Sequence, residues 1–233
     1  MQRTNGLIFG YNDYAKEIAR NIDKKYEHIT LFALKGEEHA IEEGKYPLCF
    51  FDLSDEWEEL QKEYDMAQTV AFCALEDDAQ NIFLTISLRA TFKELTIVAL
   101  AKSKESGNKL MMAGADKVIP LVQTTADMIV DLLERPVASN ILHGILYEKS
   151  NLKIVQIEVQ DENYFHGQYP ADIDWSRNHG IIVLSVIHQG KAGEFIYSSK
   201  AKHHVITKGD IFVVVGYDED LKAFEKLIGS RMA

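Results

Sequence analysis

Cysteine is scarce in this sequence, and long apolar runs are missing from it. The two cysteines, Cys49 and Cys73, each lie inside a short apolar run, which predicts small buried core residues rather than a disulfide framework or a metal site and favours a reducing cytosol. No basic segment precedes a short apolar stretch at the N-terminus, and no apolar run approaches the roughly 18 residues of a membrane span. Neither a signal peptide nor a transmembrane helix is expected from these residues.

Basic residues are outnumbered by acidic ones, 25 against 36, which gives a formal net charge of −11. Nucleic-acid affinity depends on clustered Lys and Arg that release counterions from phosphates, so neither DNA nor RNA is expected as a partner. The 46% hydrophobic content is typical of a soluble globular protein, and 233 residues can form one large or two modest domains.

Short apolar runs alternate with longer segments of helical period through about residue 121. The runs are continuous rather than alternating, as in strands that are buried on both faces. Strands interleaved with helices predict a parallel, doubly wound α/β domain of Rossmann-like type, with ligands at the carboxyl ends of the strands. The predicted strands are 6–10, 28–34, 48–53, 69–75, 95–101 and 117–121, and the predicted helices between them include EEHAIEEG at 37–44 and DEWEELQKEY at 55–64.

Glycine is scarce in the turn after the first strand, in GLIFGYNDYAKEIARN at 6–21. A dinucleotide-binding turn usually has three glycines, which let the backbone approach the pyrophosphate, and an acidic residue about 20 positions on that holds the ribose. Here Gly10 is the one glycine left, Asn12 and Asp13 crowd and repel a phosphate, and Leu34 stands at the ribose position. The turn therefore predicts helix packing rather than NAD binding.

Acidic residues follow several strands and could form a ligand site. The run Glu76, Asp77, Asp78 comes after the fourth strand, where its carboxylates could bind a hard cation such as Ca²⁺ or cap the next helix. Both interpretations stay open, and a cation is favoured if Asp13 and Asp52 converge on the same cleft. The candidate ligand-binding residues are Gly10, Tyr11, Asn12, Asp13, Asp52, Glu76, Asp77 and Asp78.

Two amphipathic helices follow the sixth strand, TTADMIVDLLER at 124–135 and VASNILHGILYEKS at 137–150, with Pro136 between them. The first is predicted to begin at a Thr cap. Because the helices of the sheet are already accounted for, their apolar stripes predict a two-fold subunit interface, and packing onto the chain's own sheet is the alternative. The stripes comprise Met128, Ile129, Leu132, Leu133, Ile141, Leu142, Ile145 and Leu146.

Strands without long helices between them occupy the sequence from about residue 152, in LKIVQIEV, GIIVLSVIH, GEFIYSS and DIFVVVGY. With a final helix, EDLKAFEKLIG, that ends at Gly229, they predict a small α+β domain. The adjacent His203 and His204 are expected to be solvated, because neighbouring residues of a strand point to opposite faces and seldom chelate one ion.

Three stretches have a family-specific pattern: NKLMMAGADKVIPL at 108–121, GIIVLSVIHQGKAGEFI at 180–196 and KGDIFVVVGYDEDLKAF at 208–224. They resemble the regulator of potassium conductance (RCK) family, in which a TrkA-N domain precedes a TrkA-C domain. The resemblance spans nearly the whole chain. It implies a TrkA-N domain at 1–121, a crossover helix and helical dimerisation linker at 122–150, and a TrkA-C domain at 151–233.

The resemblance implies a cytoplasmic, ligand-sensing gating module of a potassium channel or transporter, held at the inner face of the cell membrane through the pore. The expected partners are a second copy of the chain, a larger ring of such dimers, and a potassium-conducting pore on the same or a separate chain. No catalytic residue is predicted, since a Gly-x-Ser-x-Gly elbow is missing from the sequence. The alternative function is an NAD(P)-dependent oxidoreductase on a Rossmann fold.

The ligand-binding positions of the family are only partly present. Gly10 and Asp52 match nucleotide-binding members, but the residues at the other nucleotide positions do not. The carboxylates of a calcium-gated member fall on Ala74, Leu100 and Lys102, which implies that this calcium site is lost. The expected effector is a divalent cation or a nucleotide in an unconventional pose, and conventional NAD binding is disfavoured.

Overall fold

A computed structural model describes residues 4–36, 44–147, 151–160, 163–188, 194–195 and 204–228. The chain forms two units, Met1–Val130 and Asp131–Ala233. The predicted domain boundaries at residues 121 and 150 stay predictions. Within the part of the chain that the structure describes, no helix combines the length and the apolar character that crossing a bilayer requires.

The apolar runs of the first unit form a six-stranded parallel sheet. The strands are β1 (Asn5–Phe9), β2 (His28–Leu34), β3 (Leu48–Phe51), β4 (Thr69–Cys73), β5 (Thr96–Ala101) and β6 (Lys117–Pro120). They lie in the order β3-β2-β1-β4-β5-β6. The chain builds outward from β1 in one direction and then outward from β4 in the other, which confirms the predicted doubly wound, Rossmann-like fold. Ligands of such sheets bind where the strand order reverses, here between the carboxyl ends of β1 and β4.

The helices of this sheet include one that is shorter than predicted. In place of a helix over 55–64, a 3-10 turn at Trp57–Glu59 leads into a four-residue helix, α2 (Leu60–Glu63). The chain leaves this helix at Tyr64, whose hydroxyl lies 3.1 Å from Thr30 Oγ1 on β2. The helix predicted at 37–44 lies almost wholly outside the described residues. The helices are α1 (Asp13–Ile22), α2 (Leu60–Glu63), α3 (Asp78–Thr91) and α4 (Lys104–Met112).

The central strands bury side chains on both faces of the sheet. On β1, Phe9 packs into one core cluster and stacks on Phe32 with ring centroids 4.6 Å apart, while Ile8 packs into the other cluster. Among the residues that the structure describes, the edge strand β3 pairs with β2 alone, and Cys49 on it is exposed, so its predicted burial is wrong. Cys73 on the central strand β4 is buried as predicted, and burial raises the pKa of its thiol to about 12.

Two helices follow the sheet, α5 (Leu121–Glu134) and α6 (Pro136–Tyr147). The predicted Thr124 cap is wrong, because α5 continues directly from β6 and begins at Leu121. Pro120 immediately precedes the first helical residue, where its missing N–H removes no hydrogen bond from the helix. Every residue of both helices is exposed or half-buried. The apolar stripe residues have exposed fractions of 46 to 77%, apart from the half-buried Ile145.

The GAD stretch at 114–116 forms a hydrogen-bonded junction between α3 and the strands beside it. The guanidinium of Arg89 donates to the carbonyl of Gly114 at 2.9 Å and to two main-chain carbonyls at the end of α3. It also forms an ion pair with Asp116 at 2.6 Å, and that carboxylate accepts a hydrogen bond from Ile97 N on β5. One side chain therefore connects a helix end, a turn and a strand.

The second unit is the predicted small α+β domain. Its helices and strands include β7 (Leu152–Glu158), α7 (Trp175–His179), β8 (Ile181–Ile187), β9 (Glu194–Phe195), β10 (Ile211–Tyr217) and α8 (Asp218–Ile228). The strands form a four-stranded antiparallel sheet in the order β7-β10-β8-β9. Trp175 and Phe224 pack with Phe212 in the core, and the indole N–H of Trp175 donates to Pro170 O at 2.7 Å. The predicted helix end at Gly229 lies outside the described residues.

We expect Arg89→Lys to lower the free energy of unfolding by about 1–3 kcal/mol, because a single ammonium cannot reach all the acceptors that the guanidinium fork holds. Arg20→Lys is the control, since Arg20 is largely exposed and forms one surface ion pair with Glu17. Urea unfolding of both variants measures the difference. Equal, small losses for the two variants would contradict the role assigned to Arg89.

Candidate functional site

Gly10 begins the turn between β1 and α1, at the crevice where the strand order reverses. Its φ is +137°, and a Cβ at this position would lie 2.5 Å from the carbonyl oxygen of Ala74 at the end of β4. The same turn is held by a hydrogen bond from Gly10 N to Phe32 O on β2. Glycine is therefore required here by the contact with β4, whether or not a phosphate ever binds.

Both polar atoms of the Asn12 side-chain amide form hydrogen bonds within the protein. Its Oδ1 accepts a hydrogen bond from Ala15 N at 3.0 Å, which caps α1, and its Nδ2 donates to Ala74 O at 2.7 Å. The neighbouring Asp13 is exposed in the first turn of α1, where it complements the positive end of the helix dipole. The start of α1 therefore carries a side-chain cap and a carboxylate, whereas a dinucleotide-binding turn presents backbone N–H groups to the pyrophosphate.

The acidic candidates are used in separate local contacts. The carboxylate of Asp52 accepts from the hydroxyl and the backbone N of Ser54, and these hydrogen bonds lower its pKa. Asp77 caps α3 by accepting from Gln80 N at 2.9 Å. Asp78 accepts from the backbone N of Lys102 and from a serine hydroxyl at the start of α4. Glu76 is exposed. Their assignment to an effector stays a prediction.

A cavity of about 340 Å³ lies beside α1 rather than at its N-terminus. Its cations are Lys16 and Arg20, one turn apart on α1, and Lys45 in the segment before β3. Two phenol rings complete it: Lys16 Nζ lies 4.4 Å from the centroid of the Tyr11 ring, and Lys45 Nζ lies 5.4 Å from that of Tyr46. We call this the basic cleft; its lining residues are Tyr11, Lys16, Arg20, Leu31, Gly44, Lys45, Tyr46 and Leu48.

Two of the three cations of the basic cleft form ion pairs with carboxylates. Lys45 donates to Asp23, which raises the pKa of the lysine and lowers that of the carboxyl. Arg20 pairs with the exposed Glu17 at 3.1 Å. Burial raises the pKa of the Tyr46 phenol, so this ring is neutral and its hydroxyl donates to Ala19 O. The cleft can therefore offer cations and aromatic faces to an anionic ligand.

The sequence did not predict two features of the structure. Asn81 is buried on α3, where its side chain accepts from Leu75 N and donates to the carbonyls of Leu75 and Leu100, which fixes the loop after β4.

In the second unit, His188, His204 and Asp210 form a cluster, so His204 is half-buried rather than solvated as expected. His203 lies outside the described residues. Strand register, rather than the adjacency of two histidines, would have located this cluster.

Comparison with known proteins identifies two domains. The model of the TrkA-N domain matches residues 7–121, and that of the TrkA-C domain matches residues 154–229. Potassium channel protein 1 of Methanocaldococcus jannaschii is 23% identical over 226 residues, covering 95% of this chain and 66% of that protein. Probable potassium channel protein 2 of the same organism is 25% identical over 237 residues, covering 97% and 67%. The chain spans about two thirds of the length of these curated relatives.

Solved structures share the fold. The human SLO3 gating ring superposes with a TM-score of 0.63 at 10% identity, covering 94% of this chain and 46% of that one. The GsuK channel superposes with a TM-score of 0.51 at 19% identity, covering 98% and 39%. At these identities the likeness shows the arrangement of the elements, and the chemistry of the site has to be argued from this chain's own residues.

We expect Gly10→Ala to destabilise the protein more than Gly36→Ala. Both glycines have positive φ, so each substitution costs about 1–2 kcal/mol of backbone strain. A Cβ at Gly36 would meet no described atom within 4 Å, whereas one at Gly10 overlaps Ala74 O and costs roughly another 1–3 kcal/mol. Thermal unfolding of the two variants is the measurement. Equal melting temperatures would show that β1 and β4 are less closely packed than described.

Proposed function

Because the chain belongs to the family of proteins that join a TrkA-N domain to a TrkA-C domain, we propose that it is the ligand-sensing regulatory module of a potassium channel or potassium transporter. Its curated relatives are named as potassium channel proteins, and the chain corresponds to about two thirds of each. The pore would lie on the same full-length protein or on a partner chain. In either case the module would work at the inner face of the membrane.

The proposed mechanism is a shift between two shapes of an assembled module. An effector that binds one shape of the cleft more tightly than the other moves the equilibrium toward the first shape, by no more than that difference in affinity. This shift requires the effector to bind, and it does not require the protein to catalyse a reaction of the effector. The buried Cys73, whose thiol stays protonated at neutral pH, supplies no nucleophile.

The basic cleft is the single observation that supports our choice of effector class. Three cations around an opening of about 340 Å³ fit a ligand that carries phosphate groups, and the aromatic rings of Tyr11 and Tyr46 could contact a base. The acids at the strand tips are meanwhile used in caps and turns. We therefore favour a nucleotide whose phosphates lie along the side of α1 over a divalent cation, and over a dinucleotide at the N-terminus of α1.

The stripes on α5 and α6 are the proposed coupling element. In the second unit, Ile141, Leu142 and Leu146 are more than half exposed, which is unusual for three large apolar side chains on one helix face. In the first unit, an apolar groove is formed by Tyr14 with α5 residues that include Ile129. A second copy related by a two-fold axis would bury these surfaces, and several such dimers would form a ring.

Removing cations from the basic cleft is expected to weaken nucleotide binding. Each charge-assisted hydrogen bond contributes roughly 1.5–3 kcal/mol, so Lys16→Glu with Arg20→Glu should raise the Kd for ADP or ATP by at least about tenfold. Lys62→Glu is the matched control, since Lys62 is an exposed cation on α2. Calorimetric titration of the purified chain with ADP, ATP and NADH is the measurement. Unchanged ADP and ATP affinity in the double variant, or tight NADH binding with turnover, would contradict the proposal.

Charge placed in the stripe of α6 is expected to dissociate the assembly. Ile141→Glu with Ile145→Glu would bury two unpaired carboxylates at the interface, at a cost of several kcal/mol. Asn140→Glu adds a carboxylate on the opposite face of the same helix and should leave the mass unchanged. Light scattering gives the mass, and circular dichroism shows whether each variant is folded. A wild-type chain that is monomeric at tens of micromolar, or a folded double variant of unchanged mass, would contradict the proposal that these helices are the coupling element.

A further inference from the structure

Three side chains with metal-binding atoms converge at one end of the sheet in the second unit. β8 ends at Ile187 and β10 begins at Ile211, and these two residues are paired in the antiparallel register. His188 and Asp210 each lie one residue beyond that pair, so the backbone places them opposite one another. His204 approaches the same carboxylate from the segment that leads into β10.

The distances within the cluster are those of a compact ligand set. Asp210 Oδ1 lies 3.0 Å from His188 Nδ1, and Asp210 Oδ2 lies 3.3 Å from His204 Nε2. One candidate donor atom from each of the three residues lies within 4.8 Å of the other two. The side chains of Asp210 and His188 are only 3% and 6% exposed, and that of His204 is 31% exposed.

The carboxylate is held in place by the backbone, while one imidazole nitrogen lacks a partner. Asp210 Oδ2 accepts a hydrogen bond from Thr207 N at 2.9 Å, in the turn that precedes β10. His204 Nε2 is buried and forms no hydrogen bond with any described atom, despite its approach to Asp210. A buried polar atom without a partner is unfavourable, so a bound group that contacts this nitrogen would stabilise the arrangement.

We propose that His188, His204 and Asp210 bind a transition-metal ion of the Zn²⁺ type. Two imidazoles and a carboxylate are ligands that zinc prefers, whereas Ca²⁺ and Mg²⁺ prefer sets of oxygens. With bonds of about 2.0–2.2 Å, the donors of a tetrahedral site lie roughly 3.3 Å apart. The three donor atoms here lie within 4.8 Å of one another, so they would move closer together to hold one ion. The three side chains leave a fourth position for water or a further ligand.

A bound ion would join residues that are distant in the sequence. It would link the end of β8 to the start of β10 and to His204, 16 positions after His188. Binding that occurs only in the folded state adds to stability as the metal concentration rises. The proposal does not depend on the basic cleft or on the gating function, because the cluster belongs wholly to the second unit.

Titration of the chelator-treated full chain with Zn²⁺ tests the proposal. We expect one ion per chain and a Kd that rises more than about 100-fold in His204→Gln, since loss of a ligand should exceed the 10–100-fold cost of losing a residue behind a ligand. His166→Gln is the control, because His166 is an exposed histidine of the same unit. Ca²⁺ and Mg²⁺ should not compete.

His204→Gln is chosen because its side chain is partly exposed, whereas Asp210 accepts a backbone hydrogen bond that the fold needs. Co²⁺ bound to the wild-type chain supplies a second readout: the site predicts the intense visible absorption of four-coordinate cobalt, lost on addition of Zn²⁺. Zinc binding that is no tighter in the wild type than in His204→Gln, or cobalt spectra of the weak six-coordinate kind, would overturn the proposal. The cluster would then be a hydrogen-bonded His–Asp pair with a neighbouring imidazole.

Discussion

The close approach of the β1–α1 turn to the end of β4 constrains the rest of the first unit. A side chain at Gly10 would overlap the carbonyl of Ala74, and Asn12 uses both atoms of its amide to cap α1 and to hold that same carbonyl. The turn is therefore closed by the protein's own polar groups. With Asp13 beside it, the N-terminus of α1 is poorly suited to a pyrophosphate, although the fold is the one that dinucleotides commonly use.

The proposed anionic effector would bind along the side of α1 instead. Lys16 and Arg20 are four residues apart, so they lie on one face of the helix, and that face meets Lys45 and Tyr46 from the segment before β3. The glycine of the turn and the cations of the cleft are thus needed for different reasons. Packing against β4 requires Gly10, whereas the proposed binding of an effector requires the charges along α1.

Continuous apolar runs predicted the six strands well, because strands buried on both faces leave little choice of residue. The predictions failed where burial or a helix boundary depends on which residues are close in space. Cys49 is exposed because β3 is an edge strand, and α5 begins at Leu121 because it continues directly from β6. Neither the pairing of His188 with Asp210 nor the closure of the basic cleft could be read from spacing, since each depends on the register or packing of segments distant in sequence.

Potassium flux through vesicles that contain the complete protein, or the chain with its pore partner, tests most directly whether the basic cleft controls a pore. ADP or ATP should change the flux through the wild type and through the Lys62→Glu protein, and should leave unchanged the flux through a variant that carries both Lys16→Glu and Arg20→Glu. Flux that responds to nucleotide equally in all three proteins, or in none of them, would contradict a gating role for the cleft.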